Sequence, residues 1–101
     1  MIVVRDIFQI KFGQSKEAST LWKQGIAIAK KTPFGSGNIR ILTDLAGPPY
    51  YTLILESSFD SVSQWEKSSE AVRANAEWKA WYPKVAALTE HGRREILSVI
   101  E

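Results

Sequence analysis

The chain contains no cysteine. Thiol nucleophiles, disulfide staples and thiolate metal sites are therefore excluded. A single histidine, His91, rules out any centre built on several imidazoles. No apolar run approaches the ~20 residues that a membrane-spanning helix needs. No basic segment followed by an apolar stretch stands at the N-terminus, so the chain reads as cytoplasmic. Neither sign of charge dominates: 13 Lys+Arg against 11 Asp+Glu leave a formal charge of +2. The signs are interspersed. Lys30-Lys31 and Arg93-Arg94 are isolated pairs that suit solvated element ends, and no basic stripe suggests nucleic acid. The stretch "FGSGN" at 34–38 lacks the lysine and following helix of a phosphate loop.

What the chain has is apolar pattern and tryptophan. Its 101 residues are 45% hydrophobic, which suits one globular domain spanning 1–101. Three of its four tryptophans fall in "QWEKSSEAVRANAEWKAWYP" at 64–83. Such density either marks a site for a flat ligand or fills a core.

Residues 2–12 are rich in β-branched and aromatic types and are expected to form a strand. Alternation places Ile2, Val4, Asp6, Phe8, Ile10 and Phe12 on one face. Gly13 breaks the strand, and Ser15 is the expected N-cap of a helix over 15–31 with an apolar stripe at Ala18, Leu21, Trp22, Gly25, Ile28 and Ala29. Lys30-Lys31 suits the negative end of that helix, and Pro33 and Gly35 close it. Residues 38–44 and 50–57 make a hairpin about the Gly47-Pro48-Pro49 turn. Ser61 followed by Gln64 fits a capping box for a second helix. That helix carries two apolar stripes, one through Val62, Trp65, Ser69, Val72 and Ala76, the other through Ala71, Ala74, Trp78 and Trp81. A bend is expected at Ser68-Ser69, and Pro83 is expected to break the ladder near Lys79. A last strand covers 92–100. The order βαββαβ is that of a ferredoxin-like α+β fold with a four-stranded antiparallel sheet.

Two helices cover one face of such a sheet. The strand at 50–57 is substantially apolar on both faces, which an exposed antiparallel sheet avoids. The second face is therefore expected to be buried against a second copy of the chain, giving a homodimer packed through its sheet faces.

The segments "VVRDIFQIKFGQSKEASTLWKQG" and "ILTDLAGPPYYTLILESSFDSVSQWEKS" resemble NIPSNAP-like proteins: a strand ending in Gly, a helix with a central Trp, a Gly-Pro hairpin and a Phe-Asp-Ser helix opening. The resemblance covers nearly the whole chain. It implies the dimeric α+β barrel superfamily and the same homodimer. That superfamily includes antibiotic-biosynthesis monooxygenases, haem-degrading monooxygenases and small isomerases, and fold alone does not choose among them. The haem-degrading members resemble one another in a strand-one Asn, a Trp early in the second helix and an iron-binding His ten residues later. Here Trp65 matches, but Asn75 stands at the His position and strand one has no Asn. Haem, and with it any cofactor or metal, is not expected.

Asp6 is the singular residue of the first strand. A carboxylate on an apolar face must be paired, hydrogen-bonded or neutral. It is either a general base in a cavity or the partner of Arg40 or Arg94 on neighbouring strands. His91, placed at a helix-to-strand junction, is the other candidate base. Phe8, Trp22, Trp65, Asn75 and Trp78 are the candidate lining of a small apolar or aromatic ligand site. Trp22 and Trp65 also suit plain core packing. The expected function is that of a NIPSNAP-like dimeric barrel binding a small apolar or aromatic ligand. The alternative is a cofactor-independent monooxygenase or isomerase acting on a small aromatic or polyketide-like substrate.

Overall fold

The computed structural model describes residues 1–101. Four strands, β1 (Ile2–Ile10), β2 (Arg40–Thr43), β3 (Thr52–Phe59) and β4 (Thr89–Ser98), form one antiparallel sheet in the order β2-β3-β1-β4. Three helices, α1 (Ser15–Ala29), α2 (Val62–Ala74) and α3 (Ala76–Ala86), and a 3₁₀ turn at Pro33–Gly37 accompany it. This is the α+β ferredoxin-like architecture expected from the sequence, with the second helix divided in two. No helix is long and apolar enough to cross a membrane.

The sequence signals hold in outline and fail at particular boundaries. The first strand ends at Ile10, because the Lys11 N–H donates to Leu88 O and Gly13 turns the chain at φ +77°. Phe12 thus lies outside the sheet, 85% exposed. Helix α1 starts at Ser15 itself. Gln14 takes the cap position without a side-chain bond, so Ser15 is not a cap. The helix also ends two residues early. Lys31 reaches across to Glu77 of α3, 3.1 Å away. Strand β3 begins at Thr52, because Tyr51 adopts φ +61° and Asp44 Oδ1 accepts the Thr52 N–H at 2.9 Å.

The cap of α2 is close to expectation. Ser61 Oγ accepts the Gln64 N–H, and Gln64 Oε1 returns to the N–H of Asp60 rather than of Ser61. No bend occurs at Ser68-Ser69; both are buried within an unbroken α2. The break falls at Asn75, which is extended at φ −71°, ψ 130° and whose Oδ1 accepts the Trp78 N–H to start α3. Asn is among the best N-caps, so the break has a local cause. The break divides both stripes: Ala76 of the first falls in α3, and Ala71 and Ala74 of the second fall in α2. Nor does Pro83 end the helix. It removes one donor, but α3 continues to Ala86, with Val85 fully buried and the Ala87 N–H bonded to Pro83 O. Packing of the last turn outweighs the lost bond.

The helices lie on the sheet face that carries Val4, Phe8, Ile10, Leu53, Leu55 and Phe59. Gly25 lets α1 and α3 approach: the Trp81 indole sits against it and donates Nε1–H to Leu21 O at 2.9 Å. The opposite face follows from alternation and the strand register. Arg40, Glu56, Arg5 and Glu95 stand in one row across all four strands. Apolar rows flank it, Leu42–Ile54–Ile7 on one side and Val3–Leu97 on the other. Within the charged row Glu56 accepts from Arg40 Nε at 2.7 Å and Arg5 Nε at 2.9 Å. Burial alone would push the Glu56 carboxyl up, but the two guanidinium bonds and their charges outweigh it and hold it below its ordinary value.

Candidate functional site

Between the helix-bearing face of the sheet and the helices lies a cavity of about 950 Å³, at the upper end of the ~300–1,000 Å³ typical of ligand sites. Its floor is built by strand register. Phe8 of β1 stands opposite Leu53 and Gly92, and Asp6 stands opposite Leu55 and Arg94. Gly92 is required there for space. A Cβ at that position would meet Phe8 Cδ1 at 2.9 Å. With no side chain in the way, the Phe8 ring lies over β4 and stacks on Trp22, centroids 5.2 Å apart at 22°. Trp22 in turn meets Trp78 edge-on at 6.2 Å, and Trp81 at 5.0 Å. Aromatic pairs of this geometry add about 0.5–1.5 kcal/mol each beyond area burial, so this part of the lining is rigid.

Asp6 is paired. Arg94 Nε donates to its Oδ1 at 2.6 Å, and the Arg94 guanidinium lies 4.9 Å over the Trp65 ring. Arg40, the other partner expected for Asp6, is engaged by Glu56 on the opposite face. The stack of Asp6, Arg94 and Trp65 forms one wall of the cavity. The ion pair is half open to water, so its contribution to stability is small, about 1 kcal/mol or less. Its structural effect is to fix the carboxylate and the guanidinium relative to the indole.

Of the residues singled out from the sequence, Asp6, Phe8, Trp22, Trp65 and Trp78 line this one cavity, and His91 borders it from β4 with its side chain set by the register on the face of Gln9. Asn75 does not. Its side chain is committed to capping α3. His91 is not at a helix-to-strand junction either. It lies inside β4, paired with Gln9 of β1, because β4 begins at Thr89 and runs through Gly92. The Asp6 carboxylate is bonded to Arg94 and not to His91. The opening concentration of tryptophan thus has two parts. Trp78 lines the cavity beside Trp22, while Trp81 is core, 4% exposed and hydrogen-bonded. Trp22 is buried as well, and its indole Nε1 has no acceptor in the protein.

Sequence reasoning missed Arg73 and Lys79 as lining residues. A signal existed. With α3 started at its Asn75 cap, Trp78, Tyr82, Val85 and Ala86 follow helical spacing and form the face turned to the cavity. Reading the second helix as single and bent at Ser68-Ser69 hid that face. No group of three or more His, Asp or Glu side chains suited to a metal ion is present.

No protein-family model and no curated protein matches the chain. Solved structures do. A NIPSNAP family protein from Agrobacterium tumefaciens superposes with a TM-score of 0.88 at 24% identity, covering 99% of this chain and 93% of its own. A NIPSNAP domain protein from Burkholderia xenovorans gives 0.87 at 20% identity, covering 99% and 95%. A putative antibiotic biosynthesis monooxygenase from Nitrosomonas europaea gives 0.72 at 16% identity over the full length of both chains. At these identities the likeness is one of fold: the chain has the fold of NIPSNAP family structures, shared more distantly with antibiotic biosynthesis monooxygenases.

Proposed function

We propose that this protein binds a small apolar or aromatic molecule in the cavity between sheet and helices, as a NIPSNAP-like protein assembled as a homodimer. The observation that carries the reading is the aromatic floor. Phe8, Trp22 and Trp78 interlock around space rather than closing it, and Gly92 keeps that space open. A cavity this large in a 101-residue chain costs the packing that would fill it, and a bound molecule offsets that cost. The dimer is supported by the uncovered face, whose apolar rows beside a self-complementary row of alternating charge suit a second copy related by a two-fold axis. The reading is tested by titrating 2-naphthylmethanol and following tryptophan fluorescence. Saturable quenching in the micromolar to low millimolar range is expected, and Ala86→Phe, which adds bulk to the lining, should abolish it. Unsaturable quenching, unchanged by Ala86→Phe, would refute the reading.

A second reading is a cofactor-independent monooxygenase or isomerase. It is favoured by Asp6 lining the cavity and by the fold shared with a putative monooxygenase. In that case the Oδ2 side of Asp6, held by Arg94 through Oδ1, takes a proton from the bound substrate. Turnover of a bound phenolic compound that is lost in Asp6→Asn while binding persists would select this reading over simple binding.

A further inference from the structure

We infer that the molecule taken by this cavity is a planar apolar acid, an aromatic or polycyclic body carrying a carboxylate or comparable delocalised oxyanion. The inference rests on the binding reading above and adds the charge of the ligand.

The charge of the lining is lopsided. Arg73, Lys79 and Arg94 face Asp6 alone. One of the three cations is occupied, Arg94 by Asp6 at 2.6 Å, while Arg93, opposite Ile7, lies on the uncovered face with Glu95. Arg73 and Lys79 make no ion pair. They stand on either side of the Asn75 break, one closing α2 and the other opening α3. Arg73 has a local reason for its place, since the negative end of a helix favours a cation. Lys79 has none. It is the fourth residue of α3, near that helix's positive end, where a cation is disfavoured. Both are exposed at the cavity rim, where an anion in the cavity comes within reach of both.

The one carboxylate in the lining is already spent on Arg94, so nothing in the cavity calls for a cationic ligand. The aromatic floor in turn disfavours a compact, strongly hydrated anion such as free phosphate, which has no apolar body to cover it. An acid with a flat apolar body satisfies both halves of the lining.

The test compares two probes with one body, 2-naphthoate and 2-naphthylmethanol, by tryptophan fluorescence and isothermal calorimetry at low salt. The acid is expected to bind about tenfold more tightly, or ~1.4 kcal/mol. That preference should shrink in Lys79→Gln and in Arg73→Gln, vanish in the double variant, and fall as salt is raised. Lys84→Gln, an exposed α3 lysine outside the lining, should keep it. Circular dichroism and melting of each variant separate lost binding from lost fold, and the single variants stand in if the double variant unfolds. Equal affinity for the two probes, or a preference for the acid that survives both substitutions, overturns the inference and leaves the binding reading standing. Binding of neither probe overturns both.

Discussion

Replacing Gly25 with alanine places a methyl group where an indole already sits. The added Cβ would lie 2.4 Å from both Cη2 and Cζ2 of Trp81, and 2.9 Å from Cε2. These are ring atoms of a side chain that is 4% exposed and anchored through Nε1 to Leu21 O at 2.9 Å. Relief comes in one of two ways. The indole rotates, breaking that bond and disturbing its edge-to-face contact with Trp22, or α1 and α3 move apart and loosen the core between them. Forcing an extra carbon into a packed core costs about 1–3 kcal/mol, and leaving the indole donor unpaired costs about another 1–3 kcal/mol if the first route is taken. Against this, alanine is favoured over glycine inside a helix by roughly 0.5–1 kcal/mol. The net expectation is destabilisation of about 2 kcal/mol, or a fall in Tm of roughly 10 °C for a domain of this size. Urea and thermal denaturation at one fixed protein concentration measure it, since coupled assembly would otherwise move the midpoint. In a Trp81→Phe background the alanine should cost far less, so the two changes should couple strongly in a double-mutant cycle. An alanine variant as stable as the parent, or more stable, would refute the account of helix packing given above.

Three further outcomes are expected. Gly92→Ala should push the Phe8 ring into the cavity, costing about 1 kcal/mol of stability and weakening 2-naphthylmethanol binding; unchanged affinity would mean that Phe8 does not bound the binding space. Glu56 is held below its ordinary value, 4.5, so it contributes stability that is present above that value and lost as pH falls through the lower folded-state one. Glu56→Gln should therefore cost about 1 kcal/mol near neutrality, the charge-assisted bonds being discounted because Arg40 and Arg5 are largely solvated. It should also flatten the acid limb of urea midpoints measured between pH 3 and 6, and an unaltered limb would show that the Arg40–Glu56–Arg5 row is not its source. Ile54→Lys, in the middle of an apolar row of the uncovered face, should convert a particle of twice 11.4 kDa to one of single mass by light scattering; a parent protein already at single mass in the micromolar range would end the dimer proposal.

The strands, the hairpin, the N-cap at Ser61 and the resulting fold were legible in the sequence because each rests on short-range pattern. Alternation, a Gly-Pro-Pro turn and a Ser-x-x-Gln opening act within a few residues, and nothing distant opposed them. The failures have a common form. The last strand reads as beginning at Gly92, yet β4 begins at Thr89, because pairing with the distant β1 carries it back to Ile10 and the Phe8 ring from that strand packs on Gly92. Pro83 reads as a break, yet buried Val85 holds the last turn of α3 in place. Ser68-Ser69 reads as a bend, while the true break is the capping side chain of Asn75. In the first two cases a packing contact from far along the chain outweighed a local preference of a few kcal/mol or less. The third was a choice between two local signals.

The candidate site divides along the same line. Periodicity alone determined that Asp6 and Phe8 share one face of the first strand and that Trp22 and Trp65 sit on apolar helix stripes, because the periods of strand and helix are set by backbone geometry. Tertiary structure alone decided which arginine neutralises Asp6. The sequence offered Arg40 and Arg94 equally, and the strand order β2-β3-β1-β4, with the register that sets Asp6 opposite Arg94, chose between them. It also decided that Trp81 is core while Trp78 lines a cavity, and that Arg73 and Lys79 converge on it without partners. Spacing along one element is a property of that element. Which side chains meet across elements depends on strand order and helix approach, and those emerge only when every apolar face is buried at once.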